Sequence, residues 1–196
     1  MKHIIRSCIC IGLLSPLAAN AADDLGRYAI HGAGLLNCKT FVAERKKASP
    51  AYMMMGGWMD GYLTAVNKLE KETYEMTPYA STELLAALIN KHCESHPDDL
   101  LGPVMDAIVL RLRDDRLKNV SPMVTVRVGD YQTQVYAKTL MDMQTILLEK
   151  KMFSKTPASD WNADIEAALK KYQLSANLKA TGFPDQKTLW HIFRSR

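Results

Sequence analysis

The placement of its cysteines constrains this chain more than any other feature of the sequence. Cys8 and Cys10 lie in an apolar stretch near the N-terminus, whereas Cys38 and Cys93 lie far apart in the remainder. If the first pair is removed with the segment that carries it, two cysteines remain. In an oxidising compartment two cysteines most simply form one disulfide. Closing so long a loop is worth about 4 kcal/mol, so the fold is expected to bring positions 38 and 93 together.

The N-terminal segment has the three-part layout of a secretory signal peptide. Lys2 and Arg6 form a positive start, an apolar run follows over residues 7–18, and small residues precede a cleavage point after Ala21. The run is too short to cross a bilayer, which takes about 20 apolar residues. We therefore expect residues 1–21 to be a cleaved signal peptide. The mature protein is expected in the periplasm, with no stable membrane insertion after cleavage.

The balance of charge changes sign along the rest of the chain, near the point where the structural pattern also changes. Residues 22–123 carry 12 Lys and Arg against 14 Asp and Glu, whereas residues 124–196 carry 11 against 7. With 47% apolar and 23% charged residues, the composition is that of a folded globular protein. The sequence predicts a helical domain over 22–119, a linker with a β-hairpin over 120–137, and a second domain over 138–196.

Helix signals fill the first of these domains. Ser49–Pro50 is typical of a helix start, and Ser81 precedes an apolar stripe at helical spacing that reaches Cys93. A shorter helix is expected around Cys38, and a fourth is expected to begin near Pro97. We predict a four-helix bundle in which the disulfide joins the first helix to the third.

The second half opens with two alternating runs of apolar and polar residues. The pair Gly129–Asp130 separates them, which predicts a tight hairpin with Gly129 at positive φ. Three helical patterns follow. Thr139 and Asp142 resemble a capping box at the start of the first, Asp160 or Asn162 is expected to cap the second, and the third is expected to begin at Pro184. The predicted fold class is mainly α: a disulfide-linked four-helix bundle, a short β-hairpin and three further helices.

The last three helical patterns carry a family resemblance. Residues 140–147 form a leucine-rich stretch containing a Gln, residues 160–173 end in Tyr172-Gln173, and residues 181–190 contain a Thr-Gly turn followed by Asp-x-x-Thr. In this order and spacing, the segment from Lys138 to Phe193 resembles the three-helix peptidoglycan-binding domain found beside many cell-wall enzymes. It departs from the family in the loop over 153–160, which lacks the usual glycines.

The resemblance implies that the second domain binds peptidoglycan. The candidate ligand contacts combine aromatic, hydrogen-bonding and cationic side chains, and they are Tyr172, Gln173, Lys187, Thr188 and Trp190. Tyr172 and Trp190 equally fit a role in the core. A basic domain suits the carboxylates of wall peptides, whereas nucleic acid, the usual partner of a basic patch, is excluded by the expected export.

The first domain is similar to the acid-stress chaperone family HdeA and to its helical relatives, including the amidase-immunity proteins of the Rap1a/Tai type. The similarity is carried by residues 36–42, 57–62 and 89–93. It implies a single disulfide between Cys38 and Cys93, and a role in holding clients or binding a partner.

A methionine-rich stretch near the start of the second helix is the candidate partner surface. It comprises Met53, Met54, Met55 and Trp58, and thioethers suit adaptable contacts. Filling of the core is the alternative for these side chains.

The sequence predicts no catalytic site, no metal and no cofactor. The histidines outside the leader are His31, His92, His96 and His191, and a zinc site that used Cys93 would need it reduced. A Cys nucleophile fails for the same reason, and no Gly-x-Ser-x-Gly motif is present. Glu72, Glu75 and Glu83 are interpreted as solvated surface residues.

We therefore expect a non-catalytic periplasmic protein that binds peptidoglycan through its C-terminal domain and an envelope protein of unknown identity through its helical domain. An acid-stress chaperone of the HdeA type, and an immunity or secretion-system accessory protein, are the alternatives.

Overall fold

The computed structural model describes residues 22–195, so the predicted signal peptide over residues 1–21 lies outside the described residues. The described part of the chain divides into two units after Ile30. Of the first unit only residues 22–30 are described. They contain a turn in which the Asp23 carboxylate accepts hydrogen bonds from the backbone N–H groups of Leu25 and Arg27, at 3.0 and 2.8 Å. All helices and strands described below belong to the second unit.

Four helices form the N-terminal half of this unit after a short 3-10 helix at Gly32–Leu35. They are α1 (Cys38–Lys47), α2 (Pro50–Leu69), α3 (Thr82–Cys93) and α4 (Leu101–Leu112). Side-chain oxygens cap the first three at Asn37, Ser49 and Ser81. The helix starts predicted at Ser49–Pro50 and Ser81 are confirmed, because an N-cap needs only a hydroxyl three residues before a helical N–H.

The predicted start of the fourth helix near Pro97 is wrong. The backbone carbonyls of Pro97 and Asp99 instead accept hydrogen bonds from the N–H groups of Lys39 and Cys38, both at 2.8 Å. The first N–H groups of a helix have no partner within it, and this turn supplies partners for α1. The turn therefore stays outside α4, which begins at Leu101.

The disulfide between Cys38 and Cys93 is present and confirms the predicted link between the first and third helices, across 55 positions of sequence. It lies inside the N-terminal core. The large side chains buried around it come from all four helices: Phe41, Met55, Met59, Leu85, Ile89, Leu101 and Met105.

The predicted hairpin is confirmed as β1 (Met123–Val128) and β2 (Tyr131–Tyr136), which pair antiparallel. Gly129 has a φ of 57° in the connecting turn, a conformation that glycine adopts without steric cost. Each strand buries a valine, Val126 on β1 and Val135 on β2. A lone hairpin is marginally stable in water, and burial of these side chains against the following helices supplies the missing stability.

Three helices complete the fold: α5 (Ala137–Glu149), α6 (Ala163–Ser175) and α7 (Gln186–Arg194). Asn162 caps α6, in agreement with one of the two predicted caps. Asp185 caps α7, one residue after the predicted start at Pro184.

The capping box predicted at Thr139 is wrong. Helix α5 follows β2 directly, so Thr139 is a buried residue of its first turn. Asp142 forms an ion pair with Lys138.

A second core lies among the hairpin and these three helices, and Tyr79 from the loop between α2 and α3 also belongs to it. The ring of Tyr79 stacks on Phe193 of α7, with centroids 4.4 Å apart and planes 8° from parallel. Trp190 of α7 packs against both cores. Helix α7 therefore joins the two halves of the unit. The domain boundaries predicted near residues 119 and 137 stay a prediction.

Within residues 22–195, no helix combines the length and the apolar character needed to cross a membrane.

Candidate functional site

Five residues of the segments 160–173 and 181–190 form one hydrogen-bond cluster, which we call the Gln173 node: Gln173, Thr181, Gly182, Phe183 and Thr188. Nε2 of Gln173 lies 3.3, 3.0 and 3.1 Å from Thr181 Oγ1, the Phe183 carbonyl oxygen and Thr188 Oγ1, so its two N–H groups are shared among three acceptors. Its Oε1 accepts from the Gly182 N–H at 2.7 Å. The spacing of Gln, Thr-Gly and Thr in the sequence thus fixes the turn that leads from α6 into α7.

A second buried glutamine holds the loop between α5 and α6. Gln144 Nε2 donates to the carbonyl of Ala158 at 2.6 Å, and Gln144 Oε1 accepts from the Ala158 N–H at 3.0 Å. These paired hydrogen bonds stabilise the backbone of a loop that contains no glycine.

The structure corrects part of the predicted ligand set. Tyr172, Gln173 and Thr188 are buried, and their polar atoms form hydrogen bonds within the chain. Side chains in this position stabilise the core and cannot line an open groove. Lys187 is exposed and Trp190 is half-buried, so these two are the accessible members of the set.

Lys187 and Trp190 lie together on a small cleft between α3 and α7, which we call the α3–α7 cleft. It has a volume of about 340 Å³, and its wall from α3 includes Leu84 and Ala87. At one end, the Ser81 N–H donates to Oε1 of Gln186 at 2.7 Å. Glu83 also lines the cleft, and its carboxylate pairs with Arg45. The cleft therefore combines an apolar wall with the cation of Lys187, the indole of Trp190 and a carboxylate that is already paired.

Two arginines contact the indole of Trp190. The guanidinium carbons of Arg111 and Arg194 lie 5.8 and 5.6 Å from the ring centroid, within cation–π distance. The ring of Trp190, a candidate ligand contact, is thus already in contact with two cations of the chain.

A larger groove, which sequence reasoning did not find, lies between α3 and α4 beside Trp190; we call it the α3–α4 groove. Its volume is about 630 Å³. Apolar side chains form most of its lining, among them Leu88, Val104, Ala107, Ile108, Leu112 and Trp190. The helical spacing of Val104, Ile108 and Leu112 was visible in the sequence, but the contribution of α7 to the same groove was not.

The polar end of the α3–α4 groove carries two of the four histidines outside the predicted leader, His92 and His96. The rings of His92 and His96 stack at 4.3 Å with planes 6° apart. His92 Nε2 lies 2.8 Å from Asp99 Oδ2. Among the described residues, no group of three or more His, Cys, Asp or Glu is placed to hold a metal ion.

The methionine surface predicted on α2 is smaller than expected. Met53 and Met54 are 71% and 61% exposed, but Met55 is 1% exposed and belongs to the core. Trp58 is half-buried beside Gly32 and Tyr62. Met55 is therefore removed from the candidate partner surface, because the helix turns its side chain inward.

Glu72, Glu75 and Glu83 carry the kind of carboxyl group that glycoside hydrolases use, but they lie in separate interactions. Glu75 accepts from the Thr77 N–H at 2.9 Å, Glu72 pairs with Lys118 at 3.4 Å, and Glu83 pairs with Arg45. The hydrogen bond from the Tyr52 hydroxyl lowers the pKa of Glu83, and the one from Arg45 acts in the same direction. A general acid needs a raised pKa, so the environment of Glu83 is the opposite of the one this chemistry requires.

Comparisons of the chain with protein-family models, with curated proteins and with solved structures found no match.

Proposed function

We propose that this chain is a non-catalytic binding protein of the periplasm that attaches to peptidoglycan through its C-terminal half and binds a protein partner through its helical half. The main support is that Lys187 and Trp190, the accessible members of the predicted ligand set, lie side by side on the α3–α7 cleft. Export to an oxidising compartment is supported by the disulfide between Cys38 and Cys93.

The chemistry of the cleft suits a peptide stem of the cell wall. Stem peptides carry carboxylates, which an exposed ammonium attracts electrostatically. The apolar wall formed by Leu84 and Ala87 suits the methyl groups of alanine residues in the stem. Residues 124–196 also carry more cationic than anionic side chains, and this net positive charge attracts the carboxylates of the wall at longer range.

Co-sedimentation of the whole protein with purified sacculi tests this proposal. We expect the protein to pellet with sacculi, and to pellet less as salt is raised, because the Debye length shortens from about 10 Å at 0.1 M to about 3 Å at 1 M. Chitin, which shares the amino sugar but has no stem peptides, is expected to retain little protein.

Lys187→Gln is expected to weaken binding to sacculi several-fold, because it removes the cation of the cleft without changing the core. The matched control is Lys68→Gln, which neutralises another exposed lysine on α2 and is expected to leave sedimentation unchanged. If the unmodified protein stays in the supernatant, or chitin retains it equally, peptidoglycan binding is excluded.

The chaperone alternative requires a broad apolar surface for unfolded clients. Of the three consecutive methionines, Met53 and Met54 are exposed and Met55 is not. On the methionine stretch, the exposed apolar surface is therefore limited to Met53, Met54 and part of Trp58.

A further inference from the structure

The α3–α4 groove has two chemically distinct parts that point to one kind of occupant. Its floor is apolar and includes Val104, Ile108 and Leu112 of α4. Two cationic residues, Lys91 and Arg111, lie at its rim, and both are exposed. An occupant that matches both parts has apolar side chains on one face and carboxylates beside them.

The charge of the groove is not balanced from within. Among the described residues that line it, Asp99 is the one carboxylate, and it lies 2.8 Å from His92 Nε2 at the end formed by the turn before α4. Arg111 approaches the face of Trp190, and a stacked guanidinium keeps its N–H donors available at its edge. Lys91 and Arg111 are therefore placed to receive carboxylates from outside the chain.

The groove is open to solvent, and this distinguishes between a small ligand and a protein segment as its occupant. Small-molecule sites bury most of the surface of their ligand, whereas Pro103 and Ala107 in this lining are exposed to solvent. A groove open along two helices is instead the geometry that receives an amphipathic helix, whose apolar face lies in the groove.

We propose that the α3–α4 groove binds an acidic amphipathic helix of a protein partner, with apolar side chains against Val104, Ile108 and Leu112 and carboxylates on Lys91 and Arg111. This inference rests on the proposed function, because it names the site and the chemistry through which the helical half binds its partner. It assigns that role to the groove rather than to the methionines of α2.

The test uses the whole oxidised protein and a fluorescently labelled synthetic helix with leucines at helical spacing flanked by glutamates. Fluorescence anisotropy is expected to show saturable binding, and a second peptide with lysines in place of the glutamates is expected not to bind. No binding of the glutamate peptide, or equal binding of the lysine peptide, would overturn the inference.

Two substitutions in the groove and one outside it localise the binding. Ala107→Glu places a bulky anion in the groove at an exposed position, and Arg111→Gln removes a rim cation; each is expected to weaken binding, the first by about tenfold or more. The matched control is Leu110→Glu, on the same helix at a 69% exposed position that does not line the groove. Its affinity for the glutamate peptide is expected to stay within about twofold of that of the unmodified protein. Equal losses for Ala107→Glu and Leu110→Glu would overturn the inference.

Sedimentation with sacculi separates this inference from the proposed function. Ala107→Glu is expected to pellet as the unmodified protein does, because the α3–α7 cleft is unchanged. A protein that pellets with sacculi but does not bind the glutamate peptide contradicts the groove assignment alone. A protein that binds the peptide but not sacculi contradicts wall attachment alone.

Discussion

Burial of Tyr172 in the C-terminal core changes the ionisation of its hydroxyl group. The residue is 3% exposed, and its hydroxyl lies 2.7 Å from His191 Nδ1 and 3.0 Å from Ser195 Oγ. Burial raises the pKa of Tyr172, because the phenolate would lose its hydration, and the hydrogen bond with Ser195 partly opposes this effect. The folded protein therefore holds the phenolic proton more tightly than the unfolded chain does.

The raised pKa of Tyr172 predicts a loss of stability in alkali. Its contribution is complete below a pH of about 10, where an exposed tyrosine begins to ionise, and is lost as pH rises through the higher folded-state pKa. Tyr172→Phe is expected to make the free energy of unfolding fall less steeply over this alkaline range in urea titrations. Part of the slope is expected to remain, because burial also raises the pKa of Tyr52 and Tyr136.

Tyr131→Phe is the matched control for that experiment, since Tyr131 is exposed. Its alkaline slope is expected to equal that of the unmodified protein. An unchanged slope in Tyr172→Phe would mean that this hydroxyl does not couple ionisation to folding.

At the scale of elements, the Gln173 node determines where α7 begins. Gln173 on α6 forms four hydrogen bonds to the turn before α7 and to Thr188 of its first turn. Asp185 then caps the helix by accepting from the Thr188 N–H at 2.7 Å. The buried amide of Gln173 therefore helps to position the start of α7, the helix that carries Trp190.

Gln173→Leu is expected to lower the free energy of unfolding by about 3 kcal/mol, because it leaves several buried polar groups without a partner. Guanidinium denaturation followed by circular dichroism measures the change. Gln134→Leu, at an exposed position on β2, is the matched control and is expected to change stability by less than about 0.5 kcal/mol. Similar losses in both variants would show that the node does not stabilise the fold.

At the scale of the whole unit, Arg194 of α7 links the C-terminal helices to the N-terminal half. Its guanidinium forms an ion pair with Asp115, whose side chain is 7% exposed. It also donates to the Tyr79 hydroxyl at 3.0 Å and to the Arg111 carbonyl at 3.1 Å. Since Tyr79 and Arg111 lie in the N-terminal half, this one side chain connects both halves at the end of the chain.

Arg194→Leu is expected to destabilise the protein by about 3 kcal/mol, because removing one member of a buried ion pair leaves the other charge in a poorly hydrated place. Lys155→Leu breaks an exposed ion pair with Asp164 and is expected to cost no more than about 1 kcal/mol. Thermal unfolding followed by circular dichroism compares the two. Equal effects would show that the contact of Arg194 with Asp115 does not hold the halves together.

Features of short range followed from the sequence most directly. The caps at Ser49 and Ser81 and the turn at Gly129 each involve a few neighbouring residues, so local chemistry determines them. The helix starts predicted at Pro97 and Thr139 were wrong, because contacts with other segments determine where these two helices begin. The 97–99 turn bonds to α1, and β2 leads straight into α5.

The candidate site was predicted less completely than the fold. Of the predicted ligand set, Lys187 and Trp190 are accessible, whereas Gln173 and Thr188 are buried and hydrogen-bonded to each other. Tyr172, for which a place in the core was the equal alternative, is buried as well. Periodicity indicates which face of a helix is apolar, but it does not indicate which polar side chain on that face finds an internal hydrogen-bond partner.

The sequence by itself determined the disulfide, the mainly helical class with its hairpin, and the residues that cap α2 and α3. These depend on cysteine number and on interactions within a few residues. The tertiary structure alone decided that Met55 is buried, that α7 packs on α3 and α4, and that the α3–α4 groove exists. Burial is a property of contacts between distant segments, and a groove bounded by three helices forms only when all three are in place.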